Sequence, residues 1–181
     1  MIMNKKYFLI PAALFLMVFA LPGIYDYSFT TIEGGIVNLS SYQNKKIVIV
    51  TLPVMPGGDN NKFLERLDSI SAARQATIKM IGVPSYEDGY TAASIIALRN
   101  WYRSKLGAQF IVATGMYTRK ASGSNQHIIF KWLTDKNKNG HFDMDVNGAG
   151  QQFFIATGGD LYGILGPEAK WNTNIFNRLV Q

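Results

Sequence analysis

Two long apolar stretches most constrain how this chain of 181 residues can fold. Lys46–Leu52 and residues 77–84 are almost continuously hydrophobic and rich in β-branched side chains, as expected of strands buried on both faces. The segment between them spaces its apolar residues for one face of a helix, at Phe63, Leu64, Leu67 and Ile70. The pattern therefore predicts a strand–helix–strand unit at the centre of a sheet.

The flanking segments predict further elements in a definite order. Gly34 and Gly35 indicate a turn between two short strands, and Asn60 or Asn61 is the expected cap of the first helix. The predicted elements outside the central unit are strands at 25–31, 36–39 and 109–113, a second helix with Ile95, Ile96, Leu98, Trp101 and Tyr102 on its apolar side, a short helix at 125–133, a polar loop at 134–150, a hairpin of 152–155 with 161–165, and a final helix at about 168–180. This alternation is typical of an α/β fold with helices on both faces of a central sheet.

The N-terminus has the pattern of an export signal. Lys5 and Lys6 precede an apolar run at 7–21, which as a helix would span about 22 Å against roughly 30 Å of bilayer hydrocarbon. Ala20 suits a cleavage site, but Pro22 follows closely. We expect residues 1–23 to be a signal peptide or an uncleaved membrane anchor and residues 24–181 to form one domain, with a buried N-terminal helix as the alternative. The domain is then expected outside the cytoplasm, in the periplasm or an equivalent compartment, either free or anchored to a membrane.

Composition excludes several classes of function. The chain is 48% hydrophobic and 17% charged, which suits a single packed core. Its formal net charge is +6, but it contains no run of lysine and arginine, so no nucleic acid is expected as a partner. It contains no cysteine, which excludes disulfides, thiolate metal sites, the usual lipid anchor and a cysteine nucleophile.

A series of short segments, taken in order, resembles the glutathione peroxidase family within the thioredoxin-like peroxidases. These segments are 24–29, 37–42, 46–50, 81–84, 125–133 and 153–155, followed by Gly159, Gly166 and Pro167. The resemblance covers residues 25–181. It implies a thioredoxin-like α/β fold of the glutathione peroxidase type, with a central mixed sheet, helices on both faces and an extra N-terminal β-hairpin.

The positions that match the family's active site have lost its residues. The nucleophile position falls on Pro56 or Gly57, the glutamine position on Glu87, and the tryptophan and asparagine positions on Gly148 and Ala149. Thiol chemistry needs a thiolate, so the resemblance implies a domain that has lost peroxidase activity and acts as a binding or scaffold module. It implies no cofactor, and its ligand or protein partner is unknown. The alternative is a peroxidase-related oxidoreductase role in oxidative stress, through a partner's thiol or an unrecognised site.

One loop begins like a calcium-binding loop. Asp135, Asn137 and Asn139 stand at positions one, three and five, and Asp143 stands at position nine. The twelfth position is not a glutamate, and Asp145 lies one residue early. A weaker alternative is therefore a calcium-stabilised interaction domain, against an ordinary polar turn.

Other polar residues have both a chemical and a structural interpretation. His127 could be a general base, but it stands at a helix start where a capping role is favoured. His141 has no evident metal partner in the sequence. Glu87 and Asp88 could form a pair of carboxylates, although adjacent residues diverge and a solvated turn is favoured. Residues 122–124 lack the strand–turn–helix context of a serine nucleophile.

Overall fold

The structure is a computed structural model that describes residues 22–169 and 174–181. Its strands are β1 (Ser28–Thr30), β2 (Ile36–Asn38), β3 (Lys46–Leu52), β4 (Ile78–Pro84), β5 (Ile111–Val112), β6 (Gln152–Ile155) and β7 (Leu161–Leu165). Its α-helices are α1 (Gly58–Arg74), α2 (Ile95–Lys105), α3 (Ile128–Thr134), α4 (Lys136–Asn139) and α5 (Asn174–Leu179). Short 3-10 helices lie at Ile24–Asp26, Leu39–Tyr42, Tyr86–Asp88, Ala92–Ser94 and Lys120–Asn125.

The central sheet is mixed and has the strand order β5-β4-β3-β6-β7. β3 runs parallel to β4 and antiparallel to β6, with Ile47 opposite Ile155 and Val50 opposite Gln152. The β1–β2 hairpin is a separate two-stranded sheet. It attaches beside β5, where the Ile32 backbone N–H donates to the Val112 carbonyl at 2.9 Å. The mixed sheet and the extra N-terminal hairpin are confirmed.

The core has two layers because side chains alternate along β3. Val48, Val50 and Leu52 face a cluster that includes residues of α1, α2 and α5. Ile47 and Ile49 face the opposite cluster, which includes residues of α3 and of the N-terminal hairpin. Both faces of β3 are buried, so the continuous apolar run is explained and the expected helices on both faces are confirmed.

Several local predictions were wrong. Gly57, not Asn60 or Asn61, is the N-cap of α1, and the Asn60 side chain instead donates to the Met55 carbonyl at 2.8 Å. Ile96 is 62% exposed rather than on the buried side of α2.

Several boundaries also differ: the helix predicted at 125–133 is α3, which begins at Ile128, and the strand predicted at 109–113 shortens to β5. The predicted first strand starts with a 3-10 helix and shortens to β1, and the predicted loop at 134–150 contains the single turn α4.

The predicted signal or anchor lies almost wholly outside the described residues, which begin at Pro22. Within the described ranges, no helix combines the length and apolar character needed to cross a membrane.

Candidate functional site

The loop at residues 53–60 leaves β3 at the carboxyl edge of its parallel pair with β4. Its base is fixed, because the Tyr102 hydroxyl donates to the Pro53 carbonyl at 2.8 Å. Its tip is open to solvent, with Met55 70% exposed and Pro56 and Gly57 also exposed. The two residues that match the family's nucleophile therefore lie on an accessible surface.

The backbone at Gly57 restricts which residue can stand there. Gly57 has φ 150° and ψ 166°, a combination that is essentially specific to glycine. Space is not the limit, since an ideal Cβ at Gly57 meets no heavy atom within 4 Å beyond its chain neighbours. A cysteine at position 57 would thus be strained, and Pro56 is the position where a nucleophile fits the loop better.

The segment that matches the family's tryptophan and asparagine is held against the end of β3. The Thr51 hydroxyl donates to the Gly148 carbonyl at 2.7 Å. The Gly150 backbone N–H donates to the Thr51 carbonyl at 2.8 Å, and the Gln151 N–H donates to Thr51 Oγ1 at 3.0 Å. Gly148 and Ala149 therefore stay beside the loop at 53–60, although neither carries a polar side chain.

A small cavity opens between these two segments. Its volume is about 210 Å³. We call it the edge cavity. Its walls are formed by Pro53, Asp59, Asn60, Phe63, Ala149, Gly150 and Pro167. Of the positions that match the family's active site, Ala149 lines it directly.

A larger open groove of about 530 Å³ runs between α1 and α5. It is lined by residues such as Arg66, Ile70 and Phe176, and by none of the family-matched positions. Size alone would favour the groove, whereas the match to the family's positions favours the edge cavity.

Glu87 is held by a ring of donors. Its carboxylate accepts hydrogen bonds from the Ser85 and Ser122 hydroxyls, the latter at 2.6 Å, and from the backbone N–H groups of Thr118 and Arg119 at 3.0 Å each. Burial alone would raise its pKa, but the hydrogen bonds from Ser122, Ser85, Arg119 and Thr118 together lower it to about 2. Among the described residues these donors all come from Ser85 and the segment 118–122. Glu87 therefore fastens that segment to its own turn, a role the sequence analysis missed.

The turn around Glu87 borders the loop at 53–60. An ideal Cβ at Gly89 would lie 3.6 Å from Cγ2 of Val54. The turn that carries Glu87 and the loop at 53–60 therefore lie close together.

Asp88 and the neighbouring tyrosines also contact the segment after β5. Asp88 forms an ion pair with Arg119. Burial raises the pKa of Asp88, Arg119 opposes the rise, and Glu87 adds to it. The rings of Tyr86 and Tyr117 stack with centroids 4.7 Å apart. Glu87 and Asp88 thus both bind groups of the same packed loop.

In the calcium-like loop, Asn139 is a buried structural amide. Its Nδ2 donates to the carbonyls of Trp132, Leu133 and Phe142, and its Oδ1 accepts from the backbone N–H groups of His141 and Phe142 at 2.8 and 2.7 Å. The side chain closes the turn around α4. Its Oδ1 already accepts two backbone hydrogen bonds, one for each lone pair.

The carboxylates of the same loop also bind protein groups. Asp135 Oδ1 accepts from the Asn137 backbone N–H at 2.9 Å and caps α4. Asp143 pairs with Lys120, and Asp145 Oδ1 accepts from the Lys120 N–H at 2.9 Å. The described part of the chain holds no group of three or more His, Cys, Asp or Glu arranged for a metal ion. Calcium binding stays the weaker, untested alternative.

His127 and residues 122–124 have structural contacts. His127 is the N-cap of α3, and its Nδ1 accepts from the Ile129 N–H at 3.3 Å. Burial, with a smaller effect of Lys131, lowers the pKa of His127. Ser122 is a donor to Glu87, while His141 is exposed.

Comparisons with known proteins match this architecture. No protein-family model and no curated protein sequence matches the chain. The apo crystal structure of Trgpx is similar, with a TM-score of 0.65 and 17% identity over 89% of this chain and 95% of that one. GPX1 of T. cruzi has a TM-score of 0.60 and 13% identity over 87% and 94%.

A secreted Mycobacterium tuberculosis disulfide oxidoreductase homologous to E. coli DsbE is also similar. Its TM-score is 0.52 and its identity 16%, over 86% of this chain and 96% of that one. The strand order and pairing of the central sheet and these superpositions all indicate the same fold. The chain has a thioredoxin-like fold of the glutathione peroxidase type.

Proposed function

We propose that this protein is an exported redoxin-fold domain without thiol peroxidase chemistry, which acts as a binding or scaffold module. The observation that carries the proposal is the chemistry of the aligned edge of the sheet. Pro56, Gly57, Gly148 and Ala149 supply neither a nucleophile nor a side-chain donor there, and the chain contains no cysteine. A thiolate is the reactive species in this chemistry, so its absence removes the reducing step.

The edge cavity favours a protein partner over a small molecule. Its volume of about 210 Å³ is below the roughly 300–1,000 Å³ of ordinary ligand pockets. It accommodates about one apolar side chain. Met55, at 70% exposure, extends the apolar surface beside it. The proposed ligand is therefore a protein segment that inserts a single apolar side chain.

Export is supported by the basic and apolar pattern at residues 1–21. One structural neighbour is described as secreted, in keeping with an extracytoplasmic location. The same pattern retained uncleaved would hold the domain at a membrane.

Peroxide consumption tests the loss of chemistry. The protein without residues 1–21 is assayed with hydrogen peroxide and either glutathione or thioredoxin as the reductant. We expect no consumption above the background without protein. Turnover at an ordinary peroxidase rate would refute the proposal.

Site-specific photo-crosslinking tests the binding role. A photoreactive amino acid is placed in full-length protein at Asp59, which lines the edge cavity, or at exposed Ser40 as the control. We expect a discrete protein adduct from position 59 that is lost with Ala149→Trp, which fills the cavity, and kept with Ala149→Ser. Identical adducts from all variants, or none from position 59, would contradict a binding role for the cavity.

A peroxidase-related role through a partner's thiol is the second candidate. The open space around Gly57 leaves room for a foreign sulfur atom beside the loop at 53–60. This alternative predicts peroxide consumption only when the crosslinked partner is added, which separates it from the scaffold role.

A further inference from the structure

The junction between the N-terminal apolar run and the domain is unusually short. Ile24 is fully buried, at 0% exposure. The Gly23 backbone N–H donates to Asp26 Oδ2 at 2.8 Å, and the Tyr25 hydroxyl donates to the Thr157 carbonyl at 2.9 Å. The apolar run ends at residue 21, so three chain steps, about 10 Å when fully extended, separate it from Ile24.

This short junction limits how the domain can sit beside a bilayer. If residues 7–21 are retained in a membrane, no flexible linker remains to let the domain turn freely. The part of the domain that surrounds Pro22 must then lie at the bilayer surface. The reasoning rests on the proposed retention of the N-terminal segment.

The surface at that point has the composition of a membrane contact. A recess of about 140 Å³ is lined by Pro22, Tyr27, Ile128 and Lys138, and we call these four residues the Pro22 face. Ile128 is 46% exposed although it is a large apolar residue. A tyrosine and an aliphatic side chain beside a lysine are typical of interfacial surfaces.

Two exposed lysines lie on α4 beside the Pro22 face. Lys136 and Lys138 are exposed on α4, and neither forms a salt bridge within the described ranges. The acidic groups on the same segments are Asp26, whose Oδ2 accepts from the Gly23 N–H, and Asp135, which caps α4. Free lysines beside an apolar side chain are complementary to anionic phospholipid headgroups.

Ile24, two residues after Pro22, lies toward the opposite end of β3 from the edge cavity. An ideal Cβ at Gly159, in the turn after β6, would lie 3.5 Å from Cγ2 of Ile24. This turn follows Ile155, which pairs with Ile47 at the start of β3. The edge cavity follows the end of β3, and seven strand residues span about 20 Å.

We propose that the Pro22 face docks on an anionic phospholipid bilayer, with Ile128 in the headgroup region and Lys136 and Lys138 beside the phosphates. The short junction at Pro22 and Gly23 then fixes the orientation of the domain at the bilayer as well as its attachment. The edge cavity points away from the bilayer, into the aqueous phase where a protein partner can reach it.

Single-cysteine labelling tests the docking, because the chain has no cysteine of its own. Full-length Ile128→Cys carries a polarity-sensitive fluorophore in vesicles of phosphatidylcholine with phosphatidylglycerol. Ile96→Cys is the control, since Ile96 is exposed on α2. We expect a blue shift at position 128, and quenching by a lipid-borne quencher about twofold or more above that at position 96.

The charge requirement is tested with Lys136→Glu combined with Lys138→Glu. We expect this pair of changes to reduce the blue shift at position 128 on anionic vesicles, while pure phosphatidylcholine vesicles show no such difference. Flotation of the vesicles in a density gradient shows whether the protein is bound to them. If the protein floats with the vesicles but the label at position 128 stays as water-exposed as the one at 96, the docking alone is overturned. Protein that does not float would refute the retained anchor and the docking together.

Discussion

The Thr51 hydroxyl donates a hydrogen bond to the carbonyl oxygen of Gly148, 2.7 Å away. This contact ties the segment that matches the family's tryptophan to the strand that leads to the family's nucleophile position. The two segments therefore lie together at the end of β3, and neither Gly148 nor Ala149 carries a polar side chain. The contact also presents a carbonyl oxygen, an acceptor that would not stabilise an anion.

A thiol restored at the loop tip should remain an ordinary thiol. We predict that the pKa of the Pro56→Cys thiol lies within about one unit of its free value of about 8.5. The amides at the start of α1 contribute only about 0.3–1 kcal/mol, which is less than one pKa unit. The rate of alkylation by iodoacetamide as a function of pH measures the thiol pKa.

The control for this measurement is Ser40→Cys, at an exposed position on a different segment. Gly57→Cys is a poorer variant because φ at Gly57 is 150°. A thiol pKa well below neutral in Pro56→Cys, but not in Ser40→Cys, would mean that the loop is still prepared for redox chemistry.

Glu87→Gln should destabilise the fold. The amide has an NH₂ group where the carboxylate has an oxygen, and this donor would face hydroxyl and N–H groups that are donors too. We therefore expect a loss of about 1–3 kcal/mol in the free energy of unfolding. Urea denaturation measures it. Glu33→Gln is the matched control, because Glu33 forms a surface ion pair with Arg103 and should cost less than about 1 kcal/mol.

The same carboxylate should make stability depend on pH in the acid range. The pKa of Glu87 is lowered from 4.5 to about 2. Its stabilising contribution is therefore complete above 4.5 and is lost as the pH falls toward 2. The difference in unfolding free energy between wild type and Glu87→Gln should shrink over this range, and a constant difference would contradict the assignment.

His127 should add a second, milder dependence at higher pH. Burial lowers its pKa below 6.5, so the unfolded chain takes up the proton first and stability falls as the pH drops below 6.5. Protonation also removes the lone pair that accepts from the Ile129 N–H. His127→Asn keeps a capping side chain but should remove the pH dependence of the melting temperature in this range. His141→Asn is the control and should leave that dependence in place.

Asn139→Ala should be among the more damaging single changes. It leaves three backbone carbonyls and two backbone N–H groups without their partner, so we expect a loss of about 2–3 kcal/mol in unfolding free energy. Asn137→Ala, at an exposed position in the same turn, is the control and should be close to neutral.

Calcium should leave the melting temperature unchanged. Both hydrogen-bonding groups of Asn139 are engaged with the backbone, and Asp143 is paired with Lys120. Thermal unfolding with millimolar calcium and with a chelator tests this. A rise in melting temperature that disappears in Asp143→Asn would support the calcium loop instead.

The sequence predicted the central unit well because its strands have a strong and local signal. β3 and β4 are buried on both faces, so their residues are apolar without alternation. The β6–β7 hairpin has a clear turn at Gly159, where φ is 93°. Elements with such signals kept their expected bounds to within a residue or two.

Elements without a local signal were placed less well. α1 begins after Gly57, which offers no capping side chain, so the asparagines further on were the more attractive caps. Ile96 is apolar but exposed. A helical pattern indicates a buried face only when neighbouring elements cover it, and coverage depends on the tertiary fold.

The contacts of the site were the hardest to predict. The carboxylate of Glu87 binds Ser122, which is 35 positions away in the chain, and Thr51 binds Gly148 across 97 positions. The resemblance assigned Glu87 to the family's glutamine position, but it did not predict that the carboxylate would accept hydrogen bonds from another loop. Hydroxyl residues in the segment 118–124 were a signal, though not a specific one.

The pairing of β3 with β6 also sets the order of events when the chain is made. Ile47 pairs with Ile155, so one edge of the innermost strand has no partner until most of the polypeptide has left the ribosome. Pairings between distant residues form slowly, and a sheet of this topology cannot close around its core during early synthesis. The central sheet can therefore be completed only after β6 has emerged from the ribosome.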